Sequence, residues 1–277
     1  MKLIALDLDG TLFNNQSRIS EENIKTISKA TAAGINVVIS TGRPFCGLPF
    51  DAIKGTGIKY AITANGSAIY EIETQKCLYE NCLDDDTAFS IINYLMDKRV
   101  HMDAFIAGQG YSPYKCLDDA KRLRMPASLK EYIMTTRKRV DDITDFMREN
   151  HLHMQKMTIN FPKDDDGNFY CRDEVYEHLI SNPDITLVSG GYGNLEYTRA
   201  GVTKGVALKK LADILGVSID ETMAVGDTEN DLSIVEAAHI GVAMGNATDQ
   251  LKEHADYITD TNENDGVAKA ILHFCNV

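Results

Sequence analysis

A short acidic motif directly after a buried-type strand constrains this chain more than any other part of its sequence. The apolar run Leu3–Leu6 predicts a strand, and it ends at once in Asp7-Leu8-Asp9-Gly10-Thr11. A carboxylate at the C-terminal end of a parallel strand faces the crevice in which such sheets bind ligands. Because Gly10 permits the backbone to turn away immediately, the motif predicts a ligand site at one edge of a parallel sheet.

Asp7 and Asp9 stand two residues apart. In an extended chain their carboxylates share one side, and with a cation between them they can take two separate tasks. One can attack phosphorus to form an aspartyl phosphate, while the other protonates the leaving oxygen and then activates water. The simpler alternative is an acidic strand end that caps the next turn, and D-x-D alone also occurs in glycosyltransferases and many metal sites.

Both ends of the chain alternate short apolar runs with helical periodicity, which predicts an α/β fold with a parallel sheet wrapped by helices. Strands are expected at Leu3–Leu6, Asn36–Ser40, Tyr60–Thr63, Thr222–Val225, Ile240–Met244 and Tyr257–Thr259. A hairpin is expected over Ala68–Glu80, and a helix from Lys204 to the stop at Gly216. The middle of the chain has α and β elements of its own, including expected strands at Met154–Asn160 and Ile185–Ser189. We therefore predict a discontinuous core, 1–82 and 191–277, with an inserted α+β domain, 83–190, reached by two hinge crossings.

Net charge narrows the classes of partner. The 277 residues carry 28 basic and 41 acidic side chains, for a formal charge of -13. This charge disfavours nucleic acid and anionic membranes, so a small anionic substrate needs local cations or a metal. No run approaches the ~18 apolar residues of a membrane span, and the N-terminal apolar run is too short for a signal peptide. The six cysteines form no C-x-x-C pair, so we expect a reduced, cytoplasmic protein.

Two further motifs follow apolar strands. In Ser40-Thr41-Gly42-Arg43 a hydroxyl and exposed backbone N–H groups can bind phosphoryl oxygens, although alone this is an ordinary turn. Arg43 either contacts substrate or pairs with a core carboxylate, and the sequence leaves both open. Gly226-Asp227-Thr228-Glu229-Asn230-Asp231 offers the oxygen ligands that Mg²⁺ prefers, although such a cluster can also cap the following helix.

Lys204 is the fourth element, at the predicted start of a helix. A lone lysine is usually a solvated surface charge, so only the order of the motifs along the chain favours a functional role for Lys204. An ammonium group there can offset the negative charge of a phosphorylated aspartate in the transition state.

Taken in order, Asp7-Leu8-Asp9-Gly10-Thr11, Thr41-Gly42-Arg43, Lys204 and Gly226–Asp231 resemble the four motifs of the haloacid dehalogenase superfamily. The late insertion after a hairpin, the Asn65-Gly66 turn and the form Thr41–Pro44 are similar to its Cof-type sugar phosphatases. The resemblance implies a Rossmann-like core with a mobile C2-type cap, acting as a Mg²⁺-dependent phosphatase on small phosphorylated metabolites, most of all sugar phosphates.

The same resemblance implies a role for each matching residue. Asp7 is the expected nucleophile, and Asp9 the general acid/base that also gives a backbone oxygen to Mg²⁺. Lys204 is expected to neutralise the phosphoryl group, and Asp231 to support the metal shell. The expected substrate-binding residues are Thr41, Gly42, Arg43, Lys204 and Asn230, and the expected metal site is formed by Asp7, Asp9, Asp227 and Asp231.

Two other functions remain open at this point. In a phosphotransferase or mutase the aspartyl phosphate passes to a sugar, but mutases of this superfamily resemble chains whose cap is inserted soon after the first motif, whereas here Thr41 precedes the insertion. In a phosphoacceptor or binding protein Asp7 is phosphorylated but the phosphorylated form turns over slowly. Asp9 argues against this function, because a second carboxylate two residues on would hydrolyse the intermediate. The sequence specifies neither the metabolite nor the oligomeric state.

Overall fold

The computed structural model describes residues 1–189 and 193–277, which form two compact units. The first unit combines Met1–Arg43, Leu48–Glu80 and Thr203–Val277, and the second combines Pro44–Gly47 with Asn81–Val202. Each unit contains its own β-sheet with helices. The predicted fold class, an α/β core with an inserted α+β unit, is confirmed.

The first unit alternates strands and helices, which are numbered along the whole chain. Its N-terminal segments contain β1 (Leu3–Leu6), α1 (Glu21–Ala32), β2 (Asn36–Ser40), α2 (Phe50–Ile53), β3 (Tyr60–Thr63), β4 (Ala68–Glu71) and β5 (Lys76–Glu80). Its C-terminal segment contains α8 (Lys204–Leu215), β12 (Thr222–Gly226), α9 (Leu232–Ala237), β13 (Ile240–Ala243), α10 (Asp249–His254), β14 (Tyr257–Ile258) and α11 (Gly266–Phe274).

The sheet of the first unit has the strand order β14-β13-β12-β1-β2-β3-β4-β5. Neighbours from β14 to β3 are parallel, and β4 and β5 continue the sheet as antiparallel strands. The apolar strand β1 is completely buried between β12 and β2, as expected for an inner strand of a parallel sheet. Since parallel strands end at one common edge, the segments that follow β1, β2 and β12 meet there.

Helix α8 illustrates how local sequence fixes an element of the site. Thr203 caps its N-terminus, because the Thr203 side chain accepts a hydrogen bond from the backbone N–H of Val206. Leu208 and Leu211 face the apolar core, and Gly216 ends the helix in the left-handed conformation, with φ of 65°. This cap places Lys204 at the first position of the helix.

The second unit has a six-stranded sheet with helices. Its elements are α3 (Asp85–Met96), β6 (His101–Ile106), β7 (Gln109–Pro113), α4 (Leu117–Lys121), α5 (Ala127–Thr136), β8 (Lys138–Val140), α6 (Ile143–Asn150), β9 (Met154–Asn160), α7 (Arg172–Ile180), β10 (Ile185–Ser189) and β11 (Leu195–Arg199). The strand order is β10-β11-β9-β6-β7-β8, and helices α3, α6 and α7 share one apolar core with strands β6, β9 and β11. Within the described ranges, no helix is both long and apolar enough to cross a membrane.

The division of the chain differs from the predicted single insertion. Besides Asn81–Val202, the short segment Pro44–Gly47 belongs to the second unit. Its Cys46 N–H donates to the carbonyl of Gly108 at 2.8 Å, next to β7. The chain therefore passes between the units at four places, after residues 43, 47, 80 and 202, and not at two.

The C-terminal boundary of the second unit also differs. The predicted boundary between 190 and 191 lies on Gly190, Gly191 and Tyr192, outside the described residues. Strand β11 follows that point and pairs with β9 and β10, so it belongs to the sheet of the second unit. The first unit resumes at Thr203, later than the predicted start at 191, because β11 completes the other sheet.

Candidate active site

Strand register brings the first and last acidic motifs together. Leu6 of β1 stands beside Val225 of β12, and the backbone N–H of Asp7 donates to the Val225 carbonyl at 3.0 Å. On its other side Leu6 stands beside Ile39 of β2, which leads into Ser40 and Thr41. The residues after all three strands therefore share one edge of the sheet, as the sequence predicted.

Three carboxylates meet at this edge. Asp7, Asp227 and Asp231 are all buried, with 6%, 7% and 0% of their surface exposed. One oxygen from each lies within 4.8 Å of the others. Asp231 is held by its own loop, because its Oδ2 accepts hydrogen bonds from the backbone N–H groups of Asp227 (3.0 Å) and Thr228 (3.4 Å).

Lys204 supplies the positive charge that faces this cluster. Its ammonium donates to Asp7 Oδ1 at 2.7 Å and to Asp231 Oδ1 at 2.6 Å, and only 1% of the residue is exposed. The turn at Gly66 packs directly on the backbone of Thr203, where a Cβ on Gly66 would overlap the carbonyl. Gly66 has a φ of 102°, so both its conformation and this close approach favour glycine.

The electrostatics of the cluster are unbalanced. Burial raises the pKa of Asp7 well above its usual value, and the charges of Asp231 and Asp227 raise it further against the opposing effect of Lys204. Burial, followed by the charge of Asp231, raises the pKa of Asp227 to about 7. Burial lowers the pKa of Lys204, but Asp231 and Asp7 more than compensate, so its net pKa is raised and it stays charged.

The donor set fits a hard divalent cation. With all three carboxylates ionised, the described cluster carries two more negative than positive charges, since only Lys204 opposes them. Carboxylate oxygens at this spacing are the ligands that Mg²⁺ takes in phosphate-processing sites, usually together with several waters. A divalent ion would remove the repulsion that raises the pKa values of Asp7 and Asp227.

Asp9 lies outside this carboxylate cluster. Its side chain is 57% exposed and forms a two-point pair with Arg43, whose Nε donates to Oδ2 at 2.8 Å and whose terminal nitrogen donates to Oδ1 at 2.6 Å. The Arg43 guanidinium also lies 5.3 Å from the centre of the Phe13 ring. Arg43 thus pairs with a carboxylate of its own unit, one of the two alternatives.

The remaining predicted residues lie at the same edge. Thr41 is 1% exposed, and its hydroxyl accepts a hydrogen bond from the Arg43 N–H at 3.2 Å across Gly42. Asn230 Oδ1 accepts from the Thr228 hydroxyl at 3.0 Å and from Lys204 Nζ at 3.5 Å. Their predicted roles in phosphate binding, and that of an Asp9 backbone oxygen in metal binding, stay predictions.

The turn after Asp7 also contains contacts that the sequence did not signal. Gly10 has a φ of 84° and packs on Asp227, so a Cβ there would overlap the Asp227 carboxylate. Thr11 donates its hydroxyl proton to Asp227 Oδ1 at 3.1 Å. Asn246 donates to the Gly10 carbonyl at 2.8 Å from a loop after β13. Thr11 belongs to the acidic motif that begins at Asp7, whereas no spacing rule pointed to Asn246.

Comparison with known proteins agrees with this geometry. A family model described as haloacid dehalogenase-like hydrolase matches residues 4–271. Phosphatase YwpJ of Bacillus subtilis (strain 168) is 34% identical over 292 residues, which cover 99% of each chain. The 5-amino-6-(5-phospho-D-ribitylamino)uracil phosphatase YcsE of the same organism is 35% identical over 276 residues, which cover 99% of this chain and 96% of YcsE.

A solved structure also resembles the whole chain. It is a haloacid dehalogenase-like hydrolase from B. subtilis that matches with a TM-score of 0.83 and 32% identity, covering 99% of this chain and 100% of the other. The superfamily resemblance drawn from the motifs is thereby confirmed. Because the family model spans nearly the whole sequence and full-length relatives share about a third of it, this chain belongs to the haloacid dehalogenase-like hydrolases.

Proposed function

We propose that this chain is a Mg²⁺-dependent phosphomonoesterase that works through an aspartyl phosphate on Asp7. The observation that carries the proposal is the buried cluster in which three carboxylates face Lys204 at the end of β1 and β12. Such an excess of buried negative charge is costly for a purely structural site, so it favours a chemical role. The similarity to phosphatases along the full chain supports the same activity.

In the proposed first step, an Asp7 oxygen forms a bond to phosphorus while the bond from phosphorus to the ester oxygen breaks. Asp9 gives its proton to that oxygen, which leaves as an alcohol. Lys204, already bonded to Asp7, offsets the negative charge of the transferred group, and Thr41 and Asn230 bind phosphoryl oxygens. Mg²⁺, held by Asp7, Asp227 and Asp231, supplies further charge neutralisation when bound.

In the second step, water attacks the phosphorus of the phosphorylated Asp7 and gives its proton to Asp9. The bond between the Asp7 oxygen and phosphorus breaks, and inorganic phosphate leaves. This restores the Asp7 carboxylate and the protonated Asp9 for the next cycle. Asp9 thus acts as acid in one step and as base in the other, which requires a carboxylate that can reach solvent and substrate.

For the substrate, we propose a small metabolite with a phosphate on a sugar or sugar-alcohol chain. The names of relatives such as YcsE specify a phosphorylated ribityl group, and the sequence resemblance also points to sugar phosphates. A role of the second unit as a mobile cap that selects the substrate stays a prediction, as does the cytoplasmic location.

The test is phosphate release from a panel of sugar phosphates, sugar-alcohol phosphates and nucleotides, with Mg²⁺ or with EDTA. We expect metal-dependent release that falls by roughly 10⁴-fold or more in Asp7→Asn, because the nucleophile is lost. The matched control is Asp213→Asn, the same change at an exposed position of α8, which we expect to behave as the unchanged protein.

Two results would contradict the proposal. Release that survives Asp7→Asn would remove Asp7 from the reaction. A folded protein that releases no phosphate from the whole panel, yet gains one phosphate per chain in a burst, would instead support the phosphoacceptor alternative.

A further inference from the structure

The turn that carries Asp9 is bound at two points by side chains from elsewhere in the first unit, in addition to its own hydrogen bonds. Within the turn, the N–H of Leu12 donates to the Asp7 carbonyl at 3.2 Å and the N–H of Phe13 donates to the Leu8 carbonyl at 2.8 Å. The carbonyls of Gly10 and Phe13 are bound by side chains from the C-terminal part of the first unit.

Asn246 binds the first of these carbonyls. It lies in the loop after β13, and its Nδ2 donates to the Gly10 carbonyl at 2.8 Å. The same loop is tied to the acidic motif after β12, because the Thr248 N–H donates to the Asp227 carbonyl at 3.0 Å. Asn246 thus links the segment that carries Asp9 to the segment that carries Asp227.

Asn262 binds the second carbonyl. Its Nδ2 donates to the Phe13 carbonyl at 3.0 Å and to Asn15 Oδ1 at 3.4 Å, and only 7% of the residue is exposed. The backbone N–H of Asn262 donates to Asn246 Oδ1 at 2.9 Å. The two asparagines therefore form one connected unit, the asparagine clamp, with one hydrogen bond on each side of residues 11 and 12.

Both asparagines lie in turns, outside the helices and strands. Asn246 is exposed, and its side-chain amide donates to the carbonyl of Gly10, the residue after Asp9. Asp9 itself has an exposed side chain that pairs with Arg43. The backbone of the turn sets the position from which the Asp9 carboxylate can reach a substrate.

We propose that Asn246 and Asn262 are positioning residues, which fix the turn over Asp9–Phe13 and thereby place the Asp9 carboxylate against the leaving group. This inference rests on the proposed function, since it assigns these residues to the proton transfer of the same reaction. Misplacement of a general acid by an ångström slows chemistry that needs a proton and spares chemistry that does not.

The experiment compares kcat/KM for an alkyl phosphate and for p-nitrophenyl phosphate in Asn246→Ala. An alkoxide leaves poorly without a proton, whereas nitrophenolate is a stable anion. We expect kcat/KM to fall about tenfold or more with the alkyl ester and by less than about threefold with the nitrophenyl ester. Asp9→Asn is the reference and is expected to show the same asymmetry with larger amplitude.

Asn264→Ala is the matched control. Asn264 lies in the same segment as Asn262, but its Nδ2 donates to Asp260 Oδ1 at 3.2 Å and not to the turn. We expect both esters to be hydrolysed at the unchanged rate. An equal loss with both esters in Asn246→Ala, beside a clear asymmetry in Asp9→Asn, would overturn the positioning role and leave the proposed function intact.

Hydrogen exchange provides a readout that needs no activity. The Leu12 and Phe13 amides are expected to exchange about fivefold faster in Asn246→Ala than in Asn264→Ala, as for the loss of one hydrogen bond. Unchanged exchange at these amides would refute the clamp even if the enzyme were active. Absence of phosphate release from the unchanged protein would refute the proposed function, while the exchange result would still decide whether the clamp exists.

Discussion

The two units treat buried charge in opposite ways. In the first, Asp7, Asp227 and Asp231 face Lys204, so three carboxylates share one ammonium group in the described cluster. In the second, the buried Lys156 and Arg137 each pair with a carboxylate. Burial of charged groups alone therefore does not mark a chemical site, whereas burial of more carboxylates than their counter-ions favours one.

The pairs of the second unit lie on its sheet. Lys156 of β9 is 1% exposed, and its ammonium donates to Glu196 Oε2 of β11 at 2.6 Å. Arg137 Nε donates to Asp103 Oδ2 of β6 at 3.0 Å, with both side chains almost completely buried. Each ion thus has a counter-ion within hydrogen-bond distance, which offsets its desolvation.

The largest effect on stability is expected from breaking one of these balanced pairs. Glu196→Gln leaves the buried Lys156 charge without its carboxylate at 2.6 Å. We expect the free energy of unfolding to fall by about 3–5 kcal/mol, measured by urea denaturation. Glu174→Gln is the matched control, because Glu174 pairs with Lys98 while its side chain is 57% exposed, and there we expect a much smaller loss because solvent screens the pair. Equal losses of unfolding free energy in the two variants would contradict the claim that the buried pair matters more than the exposed one.

A gain in stability is expected from removing one charge of the unbalanced cluster. The pKa of Asp227 is raised to about 7 from a usual 3.8, so the folded state binds a proton at this carboxyl more tightly than the unfolded state does. The resulting stabilisation of the folded state is fully present below pH 4 and is lost as the pH rises through 7. In metal-free protein at pH 8, Asp227→Asn should raise the free energy of unfolding by on the order of 2 kcal/mol. Near pH 4 the variant and the unchanged protein should have the same free energy of unfolding.

Addition of Mg²⁺ provides a second test of the unbalanced cluster. At pH 8 it should raise the melting temperature of the unchanged protein and have much less effect on Asp227→Asn, because a carboxylate ligand is missing. Asp213→Asn, an exposed change on α8, should respond to Mg²⁺ like the unchanged protein. A metal-free Asp227→Asn that is less stable than the unchanged protein at pH 8 would contradict the claim of uncompensated charge.

The smallest effect is expected at His101, and its pH dependence has the opposite sign. Burial lowers the pKa of His101 from 6.5, with Asp103 opposing this and Arg139 and Arg137 adding to it. The neutral ring suits its neighbours, since Asn160 Nδ2 can donate to Nδ1 at 3.2 Å and Nε2–H to the Ser112 hydroxyl at 3.0 Å.

The contribution of His101 is therefore complete above pH 6.5 and is lost as the pH falls through its folded-state pKa. The check is the free energy of unfolding of His101→Gln against the unchanged protein at pH 7.5 and pH 5. We expect the difference between them to shrink at the lower pH. A difference that grows on acidification would mean that the buried ring is charged.

Apolar runs were sufficient to place much of the framework. The predicted strands Leu3–Leu6, Asn36–Ser40 and Tyr60–Thr63 have the observed bounds of β1, β2 and β3, as Met154–Asn160 and Ile185–Ser189 have those of β9 and β10. Strands β7 and β11 were not predicted, because Gln109–Pro113 and Leu195–Arg199 contain few apolar residues and depend on their neighbours for pairing.

The site was predictable where chemistry requires particular side chains in sequence order. Asp7, Lys204 and Asp231 do meet at the edge that parallel strands define. The pairing of Asp9 with Arg43 was left open, because a sequence does not specify side-chain conformations. Asn246 was not signalled at all, since an amide that binds a main-chain oxygen creates no pattern of residue types.

The short segment Pro44–Gly47 limits how this chain can be recombined with its relatives. A chimera that exchanges Asn81–Val202 alone would keep the Cys46 N–H but replace its acceptor, the Gly108 carbonyl. Gly47 would likewise lose the Tyr132 ring against which it packs so closely that a Cβ would overlap the hydroxyl. The exchangeable module is therefore discontinuous, and evolution or an engineer must move both pieces together.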